Sequence, residues 1–373
     1  MKTRSILLTG ATGTVGSELL RRLMAREDTT INVLVRRSGY DRRQQIEYGL
    51  RGAHRAANLN LLEGDLGAGE TLGLSRDVFC SLLHTTTHVI HCGGSTSFTL
   101  PLPESRAVNV VGTQRVLDFT RQCERLVSAA FFSTVYVSGM RSGTFSEGDH
   151  ADGEHGFVNA YEQSKAEMER VVREAMSELP ILLFRLSTVI GDSRTGAVHG
   201  FNAVHHAIRL LYQGLAPMVP GEPTAPVDMV SSDYVADAAM HLMNGESRHG
   251  VFHLASGDEA SSTIGDILTS TIDSLLRFRP AWRRRSIEQP MLVDLDTYEL
   301  FVRSVEETGN EVLRNATRSI RTFAYQLAHP KVFCTRKTRE SLAGSGIAPK
   351  PVLDFYPDVV RYCLETNWGM QPC

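Results

Sequence analysis

"TGATGTVG", residues 9–16, is the stretch on which the fold turns. It follows a short apolar run, "SILLT" at 5–9, and leads into "VGSELLRRLM" at 15–24, whose apolar residues recur at helical spacing. A strand, a glycine turn and an amphipathic helix thus open the chain. Gly10, Gly13 and Gly16 are spaced G-x-x-G-x-x-G, not the G-x-G-x-x-G of the usual dinucleotide turn. The physical consequences are shared. Glycine permits a tight turn, close approach of backbone to a pyrophosphate, and close packing of helix on strand. The helix start then faces the phosphates with free N–H groups. Thr12, Thr14 and Val15 lie in the same turn and are expected cofactor contacts with the three glycines.

Outward from this turn, strand-like and helix-like segments alternate. "INVLVR" (31–36) reads as a second strand, "NLNLLEGDL" (58–66) holds a third, and "HVIHC" (88–92) is a fourth. A long helix follows through 107–123, then a fifth strand at 129–134 and a helix ending near Met176. "ILLFRLSTVI" (181–190) reads as a sixth strand, and "GVFHLAS" (250–256) as one more. This order predicts an α/β protein: a Rossmann-type doubly wound parallel sheet with helices on both faces. Residues 1–256 form the expected NADP-binding domain, with 192–250 partly contributing to a substrate cleft. Residues 257–373 read as a smaller, mostly helical substrate-binding region.

The end of the second strand bears on cofactor choice. A carboxylate there bonds the ribose 2′-hydroxyl of NAD, whereas an arginine suits the 2′-phosphate of NADP. This chain has Arg36 and Arg37, so NADPH is the expected cofactor, with Arg36 at the phosphate and Arg37 pointing outward. Arg42 or Arg43 could supply a second contact. Asp65 in "GDL" is positioned for the adenine or its ribose. Its neighbour Leu66, and Gly93 after the fourth strand, complete the expected cofactor set.

"NAYEQSK" (159–165) places Tyr161 one helical turn before Lys165, and "FFSTVYVSG" (131–139) ends the fifth strand with Ser133 and Thr134. Strand alternation turns these last two to opposite faces, so one of them is expected to meet a substrate. Ligands bind at such C-terminal strand ends in open α/β sheets. These residues resemble the extended short-chain dehydrogenase/reductases. "VIHCGGSTSF" (89–98), "VNVVGTQRVLDF" (108–119), "RLSTVIGDSRTG" (185–196) and "VDMVSSDYVADAAMHL" (227–242) narrow the resemblance. Together they look like the branch holding thioester reductase domains, carboxylic acid reductases and fatty acyl-CoA reductases.

The resemblance implies a catalytic set of Thr134, Tyr161 and Lys165, with Tyr161 and Lys165 also touching the cofactor. Thr134 would bond the substrate carbonyl, and Lys165 would bond the nicotinamide ribose. Lys165 and oxidised nicotinamide would both lower the Tyr161 pKa, and Tyr161 would protonate the developing oxyanion. The expected reaction is hydride transfer to a carbonyl, foremost an acyl thioester on CoA or an acyl carrier protein, giving aldehyde or alcohol. A ketone or aldehyde reductase of secondary metabolism can use the same three residues. A silent NADP-sensing protein has no need of all three. "HCGG" (91–94) departs from the small apolar pair usual there, which leaves more room beside the nicotinamide. "FRLST" lacks the proline often found after the arginine.

The 373 residues carry a formal charge of -3, giving no electrostatic footprint for nucleic acid. No run of apolar residues has transmembrane length. The six cysteines show no C-x-x-C pairing, and reduced thiols in a cytoplasmic protein are expected. His84, His88 and His91 have helical spacing, but "HVIHC" fits a strand, so a metal site is not expected. "IDSLL" (272–276) echoes a carrier-protein motif, yet no carrier bundle fits before it, so it reads as plain helix. No adenylation region is present, so the acyl group would arrive from elsewhere. "RFRPAWRRRS" (277–286) is a basic cluster suited either to solvent or to CoA phosphates or an acidic carrier.

Overall fold

Strands that are apolar on both sides need cover on both faces, and the sheet is built that way. The computed structural model describes residues 4–36, 58–151, 153–245, 249–284 and 290–370. Its first part runs β1 (Arg4–Thr9), α1 (Thr14–Met24), β2 (Thr29–Val35), β3 (Leu59–Glu63), α2 (Arg76–Thr85) and β4 (His88–His91). It continues with α3 (Gly112–Gln122), β5 (Ser128–Thr134), α4 (Ala160–Ala175), β6 (Ile181–Leu186), α5 (Ala203–Gln213), α6 (Ser232–Asn244) and β7 (Gly250–Leu254). The seven strands lie in the order β7-β6-β5-β4-β1-β2-β3, with every pairing parallel. The expected Rossmann-type doubly wound sheet is therefore observed.

Period-two alternation divides the strands between two cores. Ile6 and Leu8 of β1, Ala130 and Phe132 of β5, and Leu182 and Phe184 of β6 pack with α1 and α6. Leu7, Ala129, Phe131, Ile181 and Leu183 point the other way, to α2, α3 and α4. The chain leaves β1 toward β2 and returns to β4 on β1's other side, so a crevice opens between β1 and β4. Register keeps their ends level, with Thr9 opposite His91.

Two elements differ from the sequence reading. The long helix expected over 107–123 includes a π-turn, Ala107–Val111, preceded by a helical turn at Leu102–Arg106. The sixth strand stops at Leu186. Thr188–Val189 leaves the main sheet and pairs in parallel with Met229–Val230. Apolar composition runs on through the break, so a one-dimensional pattern has no means of registering the change of partner.

Beyond β7 come α7 (Ile264–Phe278), α8 (Leu295–Glu307), α9 (Glu311–Leu327), α10 (Arg336–Leu342) and α11 (Tyr356–Glu365). "IDSLL" lies inside α7, as expected. A third core joins α5, α7 and α11 through residues such as Ile208, Leu275 and Val360. Lys331–Phe333 pairs in parallel with Gly143–Phe145, which ties this region back to the loop after β5.

Candidate active site

The glycine turn shows why Cβ atoms are excluded from it. Gly10 has φ +75°, and a Cβ there would lie 2.5 Å from the Cys92 carbonyl carbon. A Cβ on Gly16 would collide with the Gly10 carbonyl. Helix α1 is preceded at its N-cap by Gly13, which offers no side-chain cap, and has no acidic residue in its first turn. Its leading N–H groups and its dipole thus face the crevice free of competing negative charge. These features fit a dinucleotide pyrophosphate.

A cleft of about 1180 Å³ extends from this turn across the C-terminal ends of the strands. The expected catalytic residues and the expected cofactor set line it. They are Gly10, Thr12, Gly13, Thr14, Val15 and Gly16; Arg36, Asp65, Leu66 and Gly93; and Thr134, Tyr161 and Lys165. Arg36 is exposed at the cleft edge. Arg37, Arg42 and Arg43 lie outside the described residues. Asp65 turns one carboxylate oxygen onto its own loop, accepting from the Gly67 N–H at 2.7 Å.

Helix α4 presents Tyr161 and Lys165 because its start is fixed twice over. The Asn159 side chain caps it by accepting from the Glu162 N–H at 3.0 Å, and Glu162 accepts in return from the Val158 N–H at 3.0 Å. Tyr161, Ser164, Lys165 and Met168 then share the buried face. Tyr161 is 9% exposed, with the Phe98 ring 5.4 Å from its own. Burial pushes its phenol pKa up, and a hydrogen bond with Thr134 opposes that shift. This corrects the expectation of a phenol made acidic by Lys165. The lysine instead donates to the Phe132 carbonyl at 2.8 Å. Burial lowers the Lys165 pKa to about 8, with Glu169 the main opposing charge.

Ser133 and Thr134 both contribute to the cleft wall, and the Thr134 side chain bonds Tyr161. The strand ends there and a 3-10 turn begins at Val135. The Ser133 hydroxyl is buried without a hydrogen-bond partner among the described residues. The two glycines of "HCGG" both line the cleft. A Cβ on Gly93 would lie 2.9 Å from the Thr9 hydroxyl, and one on Gly94 would lie 2.9 Å from the Asn109 carboxamide oxygen. A side chain at either position would press on these oxygens and narrow the cleft beside them.

The sequence reading missed Asn109, which sits on the π-turn. Its amide donates to the Ser164 hydroxyl at 2.9 Å, and its oxygen accepts from the Ser95 N–H at 2.7 Å. It therefore clamps the loop after β4 onto the helix of Tyr161 and Lys165. A lone asparagine within the apolar "AVNVVG" was the available signal. Tyr136 was missed as well. It lines the cleft and bonds the Thr188 hydroxyl at 2.8 Å. Glu162, beside Tyr161, is bonded by Gln326 of the C-terminal region, whose side chain also accepts from Lys331 at 2.8 Å. Burial raises the Glu162 pKa to about 7.

The remaining signals resolve structurally. His91 is held by Thr9 at 2.7 Å and Thr113 at 3.0 Å, and burial lowers its pKa to about 3. Trp282 of the basic cluster is buried and donates to the Tyr212 carbonyl at 2.8 Å. The side chains of Arg283, Arg284 and Arg285 lie outside the described residues. Among the described residues, no helix is long and apolar enough to cross a membrane.

A parallel sheet in this order, with an uncapped glycine turn at its crevice, defines an NAD(P)-dependent oxidoreductase with the fold of the extended short-chain dehydrogenases. The chain belongs to the NAD-binding family described as male sterility protein, which matches residues 8–239. It is 30% identical over 264 residues to a linear gramicidin synthase polypeptide of Brevibacillus parabrevis, covering 67% of this chain. It is 28% identical over 282 residues, 69% of the chain, to glycine betaine reductase ATRR of Emericella nidulans. The matched parts are 5% and 21% of those two proteins, so this chain corresponds to a small part of each. The terminal R domain of the myxalamid PKS-NRPS pathway superposes with TM-score 0.79 at 25% identity, covering 100% of this chain and 93% of that one.

Proposed function

We propose that this chain is an NADPH-dependent reductase of an acyl thioester, delivered on CoA or on a carrier protein, and that Thr134, Tyr161 and Lys165 carry the reaction. The observation that bears most weight is one continuous cleft shared by the uncapped glycine turn and these three side chains. Similarity to the terminal R domain and to the gramicidin synthase polypeptide supports a carrier-bound substrate. Arg36 at the cleft edge supports NADPH over NADH.

In this reading NADPH supplies the hydride. The glycine turn and the start of α1 would hold its pyrophosphate. Thr134 and Tyr161 donate hydrogen bonds to the substrate carbonyl. Burial keeps the Tyr161 phenol protonated, so it serves as the proton donor to the developing oxyanion. Lys165, whose ammonium donates to the Phe132 carbonyl at 2.8 Å, would hold the nicotinamide ribose from the same wall of the cleft. Collapse of the resulting hemithioacetal expels the thiol and leaves an aldehyde. Residues 257–373, with part of 192–250, cover the cleft and select the acyl group.

The test is turnover. Nicotinamide absorbance is followed with NADPH and acyl-pantetheine or acyl-CoA, then with a panel of ketones. Thioester-dependent oxidation with thiol release is the expected result, and activity confined to ketones overturns the thioester assignment.

A further inference from the structure

A second cavity, of about 110 Å³, lies behind the cleft between α5 and the C-terminal helices. Phe323 of α9 belongs to the walls of both spaces. Helix α5 is shared too. Ala203 and His206 line the cleft, whereas Val204, Ala207, Ile208 and Leu211 line the cavity. Those four positions follow i, i+3, i+4, i+7, a single stripe along the helix. The two hydroxyls in the wall are engaged. Thr271 and Tyr356 bond each other at 2.8 Å, and Thr271 also donates to the Ile267 carbonyl at 2.7 Å. The other wall residues are apolar, so nothing there holds a water.

Protein interiors pack densely, and the apolar walls of this partly open pocket gain contacts when an apolar group fills it. An apolar cavity of about 150 Å³ elsewhere admits benzene, which sets the scale of a guest. We propose that the cavity receives the apolar end of the acyl group, with Phe323 standing between it and the reaction centre. The guest is a compact branched alkyl or phenyl group of about four to six carbons. This rests on the reading that a carbonyl is reduced in the cleft. It adds a substrate class that the cleft residues leave open.

Two measurements separate this proposal from that reading. The first is the ratio of kcat/KM for 4-methylvaleryl-pantetheine over acetyl-pantetheine, with NADPH. Ala324→Leu, which places a larger side chain in the cavity wall, should lower the ratio at least tenfold. Ala207→Leu fills from the opposite helix and serves if the first variant does not fold. Phe323→Ala removes the side chain that walls off both spaces and should raise the ratio for longer chains. An unchanged ratio in a folded filling variant overturns the proposal. The second measurement needs no turnover: fluorobenzene binding to the NADPH-loaded protein, followed by fluorine NMR. Binding that the filling variants abolish supports the cavity even if no thioester is reduced, in which case the thioester reading alone falls. Thioester reduction with fluorobenzene binding unaffected by filling overturns the cavity and leaves the thioester reading standing.

Discussion

Glu169 and Arg185 form a fully buried ion pair directly behind the proposed active site. Replacing Glu169 with Gln should be costly in a way the geometry specifies. Arg185 meets the carboxylate through Nε at 3.0 Å and Nη2 at 2.8 Å. Its other contacts are neutral: the Asp149 carbonyl at 2.8 Å, the Ser146 carbonyl at 3.4 Å, His253 at 3.3 Å, and the Phe145 ring at 4.6 Å. Removing the carboxylate charge leaves a guanidinium in the interior without a counter-charge. Breaking such a pair costs about 3–5 kcal/mol. At a urea m-value of roughly 3 kcal/mol/M, the unfolding midpoint should fall by roughly 1–1.7 M. The double variant Glu169→Leu with Arg185→Met removes both charges and keeps comparable volume, so it should recover most of the loss. Glu169 is also the main charge holding up the Lys165 pKa. The alkaline limb of kcat/KM for NADPH should therefore move to lower pH in Glu169→Gln. A midpoint loss under about 0.3 M, or a double variant weaker than both singles, would refute the buried-pair argument. An unmoved alkaline limb would refute the coupling to Lys165.

In the wild type, Lys165 is charged below about pH 8 and loses its proton as pH rises through that value. kcat/KM for NADPH should accordingly decline above about pH 8, as read from a pH–rate profile of the free enzyme. Tyr161→Phe should abolish turnover while leaving NADPH affinity nearly unchanged by fluorescence titration. Arg36→Ala should weaken NADPH binding about tenfold and leave NADH binding unaltered, the size expected for one charge-assisted phosphate contact at an exposed edge. Gly16→Ala drives a methyl group into the Gly10 carbonyl, so cofactor binding and thermal stability should fall together. Binding isotherms and melting curves will show whether they do.

The order of strands and helices was legible in the chain because each element carries its own period. Alternate strand residues feed two different cores, as Leu7 does against Ile6 and Leu8. The glycine turn was legible for a related reason: Gly10 answers to a backbone contact that excludes Cβ, and no other residue type meets that demand. Tyr161 and Lys165 could be paired because one helical turn separates them.

What folding alone decided involves residues far apart in the chain. Asn109 reaches Ser164, Glu162 meets Gln326, and Arg185 stacks on Phe145. Such contacts depend on which elements become neighbours, and no local period encodes that. The same holds for Thr188–Val189, which changes sheets without changing composition. It holds again for Tyr161, whose phenol is held protonated by burial against the opposing hydrogen bond with Thr134. Sequence determines which groups are available and on which face of an element they sit. Desolvation and long-range contact, which exist only once the chain has closed on itself, set their charge and their partners.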